Sequence, residues 1–120
     1  METGSLVEIS SYSGSDFRRL VEYDGWSVAF LRYSERFASK CVLERHSQTD
    51  EVFVLLEGEA VLYVKDAEIA EIPMEKNKVY NIKRGVWHHI TVSPDATVMV
   101  VENRNTSKEN TERVAWDADI

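Results

Sequence analysis

Cysteine is nearly absent from this chain: Cys41 is the only one among 120 residues. No disulfide can form within the chain, and a reducing compartment such as the cytoplasm is the natural setting. Positive charge is scarce as well, with 14 basic residues against 21 acidic ones and a net charge of −7. Such a field repels phosphate backbones and anionic lipid, which excludes nucleic acid and membrane surfaces as expected partners. No apolar run approaches the ~20 residues of a membrane span, and Met1–Ser10 lacks the basic-then-apolar pattern of a signal peptide. A Gly-rich phosphate loop, a Ser-His-Asp set and a Cys-x-x-Cys pair are all missing.

What remains has the makings of one β-rich domain. Hydrophobic residues account for 43% and charged residues for 29%, ordinary values for a globular chain that buries roughly two-thirds of its extended surface. The dipeptide Asp24-Gly25 predicts a type I′ hairpin joining Arg19–Tyr23 to Trp26–Tyr33. In the second arm Trp26, Val28 and Phe30 share one face while Ala29, Leu31 and Tyr33 share the other. Apolar residues on both faces point to a strand held between the core and a second layer, and a homodimer would supply one. Further strands are expected at Cys41–His46, Asp50–Leu56, Glu59–Val64, Ile69–Met74, Val79–Ile82, Trp87–Val92 and Thr97–Val101. Pro73 favours an edge for its strand. About eight or nine short strands at hairpin spacing are the pattern of a sandwich or barrel. The domain core is expected over about 19–102, followed by a polar tail, 103–120. In that tail Thr106-x-x-Glu109 fits a capping box and predicts a short helical turn. Trp116 would act there as a lid or an anchor.

The residues able to do chemistry cluster by spacing. Glu44 and His46 are two apart on one strand and leave the same face. The link Ser47–Asp50 is long enough to turn and bring Glu51 beside them, with Phe53 and Leu55 continuing the inward face. His88 follows the turn Arg84-Gly85, and its neighbours Trp87 and His89 should point the other way. Imidazole and carboxylate groups from separate strands can close around one divalent ion. Without metal, Glu44 and Glu51 would be like charges in one cavity, raising the pKa of one of them. A carboxyl so raised beside His46 or His88 makes a general acid–base pair. Arg32, Lys40 and Arg45 could meet a substrate carboxylate, although solvation at the surface is the default for each.

These stretches resemble the two conserved motifs of the cupin superfamily. The first places a Glu four or five residues after a His-x-His pair and a Gly seven residues later. His46, Glu51 and Gly58 fall in register, with Glu44 where the first His is usual. In the second motif Gly85 and His88 match, whereas Asn77, Lys83 and Val92 replace the usual Gly, Pro and Asn. Asn77 is a mild departure because asparagine tolerates left-handed geometry. The resemblance implies an all-β, double-stranded β-helix (a jelly-roll barrel), often dimeric, with a site inside its open end. It carries His46, Glu51 and His88 over as metal ligands, and Glu44 as a substitution. A second carboxylate favours manganese, iron or zinc over copper. Should Glu44 lean away, two histidines and one carboxylate remain, as in non-haem iron oxygenases. Some epimerase-like cupins instead work without metal, using a His base and a Tyr acid. Tyr33, Tyr63 and Tyr80 are the candidate substrate contacts for that role, and each equally suits strand packing.

The implied function is a metal-binding protein that takes a small polar metabolite, a sugar or carboxylic acid, into the barrel and isomerises, cleaves or oxygenates it. The alternative is a non-catalytic ligand-binding or structural homodimer without metal. The departures at Glu44, Lys83 and Val92 favour the alternative, and the matches at His46, Glu51 and His88 favour the enzyme.

Overall fold

The structure is a computed structural model describing residues 6–120, so the first half of the Met1–Ser10 stretch lies outside the described residues. Alternating apolar runs become ten strands. In chain order they are β1 (Phe17–Tyr23), β2 (Trp26–Arg32), β3 (Val42–His46), β4 (Glu51–Glu57) and β5 (Ala60–Lys65). Then follow β6 (Ile69–Pro73), β7 (Tyr80–Ile82), β8 (Trp87–Val92), β9 (Thr97–Asn103) and β10 (Thr111–Ala115). One antiparallel sheet has the order β1-β2-β9-β4-β7 and the other β10-β3-β8-β5-β6. From β2 onward the chain passes repeatedly between the sheets, returning to the same one only in the β5–β6 hairpin. The fold is an all-β jelly roll. Among the described residues no helix is long and apolar enough to cross a membrane.

The core lies between the sheets and is built from every second residue of each strand. Leu31, Phe53, Leu55, Leu62, Val98 and Val100 are all 3% exposed or less. Burying each such side chain is worth about 1.5–3 kcal/mol. At one end of the barrel the β4–β5 turn rests on the β8–β9 turn. Gly58 has φ 75° there, and a Cβ on it would lie 2.6 Å from the Ala96 Cα. Only glycine allows two backbones that close at that φ.

The strand order in sequence is largely as expected, with three differences. Asp24 takes φ 48°, but Gly25 does not take the positive φ that a type I′ turn requires. A bulge shifts the β1–β2 register between Arg19 and Val21, and before it Arg19, opposite Ala29, shares the inward face of Phe17. The polar tail is more ordered than its composition predicts. Its helical turn is a short 3-10 segment at Lys108–Asn110, after which β10 pairs with β3 along its whole length. Pro73 does close the edge strand β6, and Asn77 adopts φ 68°.

Candidate metal centre

The open end of the barrel gathers donors from both sheets. Glu44 on β3 lies directly opposite His88 on β8, and His46, two residues on, shares the face of Glu44. The Ser47–Asp50 link crosses to the other sheet, so Glu51 opens β4 beside the end of β3. Asp50 pins this crossing, accepting hydrogen bonds from the Arg84 backbone N–H at 2.8 Å and the Asn81 amide at 3.0 Å. The Gly85 N–H donates to the His46 carbonyl at 2.9 Å. Gly85, at φ 84°, thus makes the turn that delivers His88.

Both histidines aim at one atom. Oε1 of Glu51 lies 3.0 Å from His46 Nε2 and 2.9 Å from His88 Nε2, and the two rings are 5.3 Å apart. The other nitrogens are also engaged. His88 Nδ1 donates to the Val86 carbonyl at 2.9 Å, and His46 Nδ1 sits 2.9 Å from the Thr111 hydroxyl. A carbonyl can only accept, so Nδ1 of His88 carries a hydrogen. Its Nε2 then faces a carboxylate oxygen, and a neutral ring would set lone pair against lone pair. A proton or a metal cation must occupy that contact. Two donors each about 2.1 Å from an ion and at right angles lie about 3 Å apart, so this spacing suits a shared ion.

Protonation without metal follows the same geometry. Burial alone pushes the pKa of each histidine down, but the hydrogen bond to Glu51 and its charge outweigh this and raise both. Burial works equally against the Glu51 carboxylate. The two histidines overcome it and hold the acid well below its usual range.

Two further carboxylates flank the pair. Glu44 Oε1 lies 3.9 Å from His46 Nε2, while its Oε2 accepts from Arg113 Nε at 2.9 Å. Glu102 is the site residue that the motifs do not reveal. It is 8% exposed, and its Oε2 has no hydrogen-bond partner among the described residues. Arg19 Nη2 approaches Glu102 Oε1 at 3.8 Å. Burial first, then the neighbouring Glu51 charge, push the Glu102 carboxyl up to about 8. Donor atoms of Glu44, His46 and His88 lie within 4.8 Å of one another, as do those of His46, Glu51 and Glu102. An orphaned buried oxygen beside a His–carboxylate cluster is the donor chemistry that a divalent cation satisfies. The signal for Glu102 was its parity: it continues the inward face of Val98 and Val100.

The cluster opens into a cavity of about 680 Å³. Phe17, Leu31, Phe37, Phe53 and Ile90 form much of its wall, and Arg19, Arg36, Lys108 and Arg113 also line it. Tyr33, Tyr63 and Tyr80 do not line this cavity, which corrects their expected role as substrate contacts. Tyr63 has the parity of Val61 and Lys65 on β5, so it faces outward, where its hydroxyl meets Thr91 at 3.1 Å and its ring meets Trp116 at 5.1 Å. The Tyr80 hydroxyl accepts from the Glu75 N–H at 2.8 Å, and Tyr33, just beyond β2, is exposed. A His–Tyr acid–base pair therefore has no tyrosine at this cavity. Trp87 packs under the Arg45 guanidinium on the outer side, 4.5 Å from ring centre to Cζ. Arg45 pairs with Glu112, Lys40 with Glu71, and Arg32 bonds Gly14 and Thr97.

No protein-family model matches the sequence, and no curated protein matches it. Solved structures do share the fold. A cupin-2 domain-containing protein from Shewanella frigidimarina superposes with a TM-score of 0.60 at 21% identity, covering 78% of this chain and 85% of that one. A variant of Streptomyces PAC13 with uridine gives 0.64 at 8% identity, covering 86% and 82%; PAC13 is a nucleoside dehydratase. A mutant of Bacillus subtilis oxalate decarboxylase gives 0.62 at 13% identity, covering 89% of this chain but 34% of the enzyme. At these identities the likeness establishes the fold alone.

Proposed function

We propose that this chain, whose fold is that of the cupins, binds one divalent transition metal through His46, Glu51 and His88, with Glu44 as a further ligand. A small carboxylic acid is held beside the ion. The observation that carries this reading is the single Glu51 oxygen about 3 Å from two imidazole nitrogens whose far sides are already hydrogen-bonded. Manganese, iron and zinc suit a set that mixes nitrogen with carboxylate oxygen. When bound, such an ion polarises a carboxylate or hydroxyl oxygen as a Lewis acid.

The chain's own residues narrow the ligand and the chemistry. The cavity wall joins Phe17, Leu31, Phe37 and Phe53 to the cations Arg19, Arg36, Lys108 and Arg113. An acid with a compact apolar body meets both kinds of surface. Glu102, whose carboxyl burial and the Glu51 charge push up to about 8 in the metal-free cluster, is the acid placed to exchange a proton with a ligand held against it. Proton transfer next to a carboxylate is the step of a lyase or isomerase. One observation favours a second, non-catalytic reading: the histidines already satisfy Glu51 without an ion, as they would in a metal-free binding protein.

Elemental analysis of protein purified without added metal or chelator tests the reading. A near-stoichiometric transition metal is expected, lost in His46→Ala and in His88→Ala. An empty site, with both variants as heat-stable as the parent, would leave only the metal-free binder.

The same reading includes a homodimer in a reducing cytoplasm. Cys41 is free and exposed. On the outward side of the first sheet Val28, Phe30, Val52, Val54, Met99 and Val101 make a continuous apolar surface of half-buried residues, bordered by Trp26 at 45% exposure. A second copy would cover it. Light scattering at micromolar concentration is expected to give twice the chain mass; a mass of 13.8 kDa would refute the dimer.

A further inference from the structure

We infer that Thr111 and Arg113, on the C-terminal strand β10, are positioning residues for the metal centre; the inference rests on the metal-binding reading above. The register of β10 against β3 is the starting observation. Thr111 lies directly opposite His46 and Arg113 directly opposite Glu44. Being two apart, they share the face that lines the cavity. Each meets the donor across from it: Thr111 Oγ1 lies 2.9 Å from His46 Nδ1, and Arg113 Nε donates to Glu44 Oε2 at 2.9 Å. Two alternate rungs of one ladder thus serve two of the four donors.

The consequence for each donor is specific. With a cation at Nε2, the Thr111 hydroxyl accepts the Nδ1 hydrogen of His46 and holds the ring so that its Nε2 lone pair meets the ion. By holding one oxygen of Glu44, Arg113 leaves the other turned toward His46 Nε2, at 3.9 Å. Without Arg113 the Glu44 side chain, 24% exposed, is free to swing to solvent. His88 needs no such help, because the Val86 carbonyl, in the turn just before its strand, fixes its ring. β10 is also an edge strand that pairs only with β3. An apparently dispensable tail therefore sets the geometry of one half of the centre and leaves the other half alone.

The test uses the full chain, stripped with chelator and titrated with cobalt(II) while its visible absorption is followed. Thr111→Val and Arg113→Met are each expected to weaken cobalt binding about tenfold or more, the usual effect of losing an outer partner of a ligand. Thr111→Ser restores the parent affinity. Arg113→Met removes a positive charge, which by electrostatics alone would strengthen cation binding, so a loss of affinity reports positioning. Nitrogen-15 chemical shifts of the His46 ring supply a readout that general destabilisation does not move. Loaded with zinc, the parent should show hydrogen on Nδ1 and metal on Nε2, and Thr111→Val a mixture of the two tautomers. Parent-like affinity and tautomer in the variants, with cobalt bound by the parent, would overturn the inference alone. Failure of the parent to bind cobalt would overturn the metal reading, and this inference with it.

Discussion

His88 and His89 are consecutive residues of β8 and almost equally buried, at 3% and 5% exposure, yet they inhabit opposite chemical worlds. His88 points between the sheets and lies between two acceptors, the Val86 carbonyl and the Glu51 carboxylate. His89 leaves the opposite face of β8, at the margin of the same cavity, and lies between two aromatic rings, Tyr63 at 6.2 Å and Trp116 at 6.0 Å, with Nε2 donating to the Ser39 carbonyl. Burial opposes charge in both rings. A carboxylate answers it at His88 and raises the pKa, whereas nothing of comparable strength answers it at His89, whose pKa falls. Burial alone therefore does not mark a functional histidine; what matters is the partner facing the second nitrogen.

Three experiments break or sharpen this contrast. The largest expected effect is on metal affinity. His88→Ala should lower it by more than about a hundredfold, beyond what loss of an outer partner does, while His89→Ala should leave it near the parent in isothermal titration with manganese or zinc. Equal losses in the two variants would erase the distinction. Next comes stability. Trp116→Ala removes an edge-on ring from Tyr63 and His89 and should cost roughly 1–3 kcal/mol in urea unfolding, with metal affinity unchanged. The smallest effect is a separation of titration midpoints, read by NMR on chelator-treated protein. His88 should titrate above 6.5 and His89 below it. The linkage signs are opposite. The His88 contribution to stability is complete below 6.5 and fades as pH rises through its folded value. That of His89 is complete above 6.5 and fades as pH falls through its folded value. Midpoints in the reverse order would contradict the geometry of β8.

The half of the centre made by β3, β4 and β8 could be read in the sequence, because turns and alternation are local. Glycines at 58 and 85 fall where φ is positive, and period-two counting separates His88 from His89 without any coordinates. β10 could not be read this way. Its Glu112 and Arg113 are exposed and its alternation is shallow, since an edge strand is held by a backbone ladder that leaves no mark on side-chain type. Glu102 was hidden for a different reason. An acid after Thr97–Val101 looks like the polar end of a strand, whereas the strand runs on to Asn103 and carries the acid inward. The tyrosines misled because aromatic residues suit both a cavity and an outer layer. For Tyr63 the parity of Leu62 and Val64 was already enough to place it outside.

The contact of Gly58 with Ala96 lies at the opposite end of β4 from Glu51, about 20 Å away along an extended strand. Evolution or a protein engineer can therefore work on the two ends separately. A side chain at 58 would wedge apart the two turns that seal the floor, lowering the melting temperature while the donors at the mouth keep their spacing. Loop changes near Ser47–Asp50 would do the reverse, retuning the chemistry of a vessel whose base stays shut.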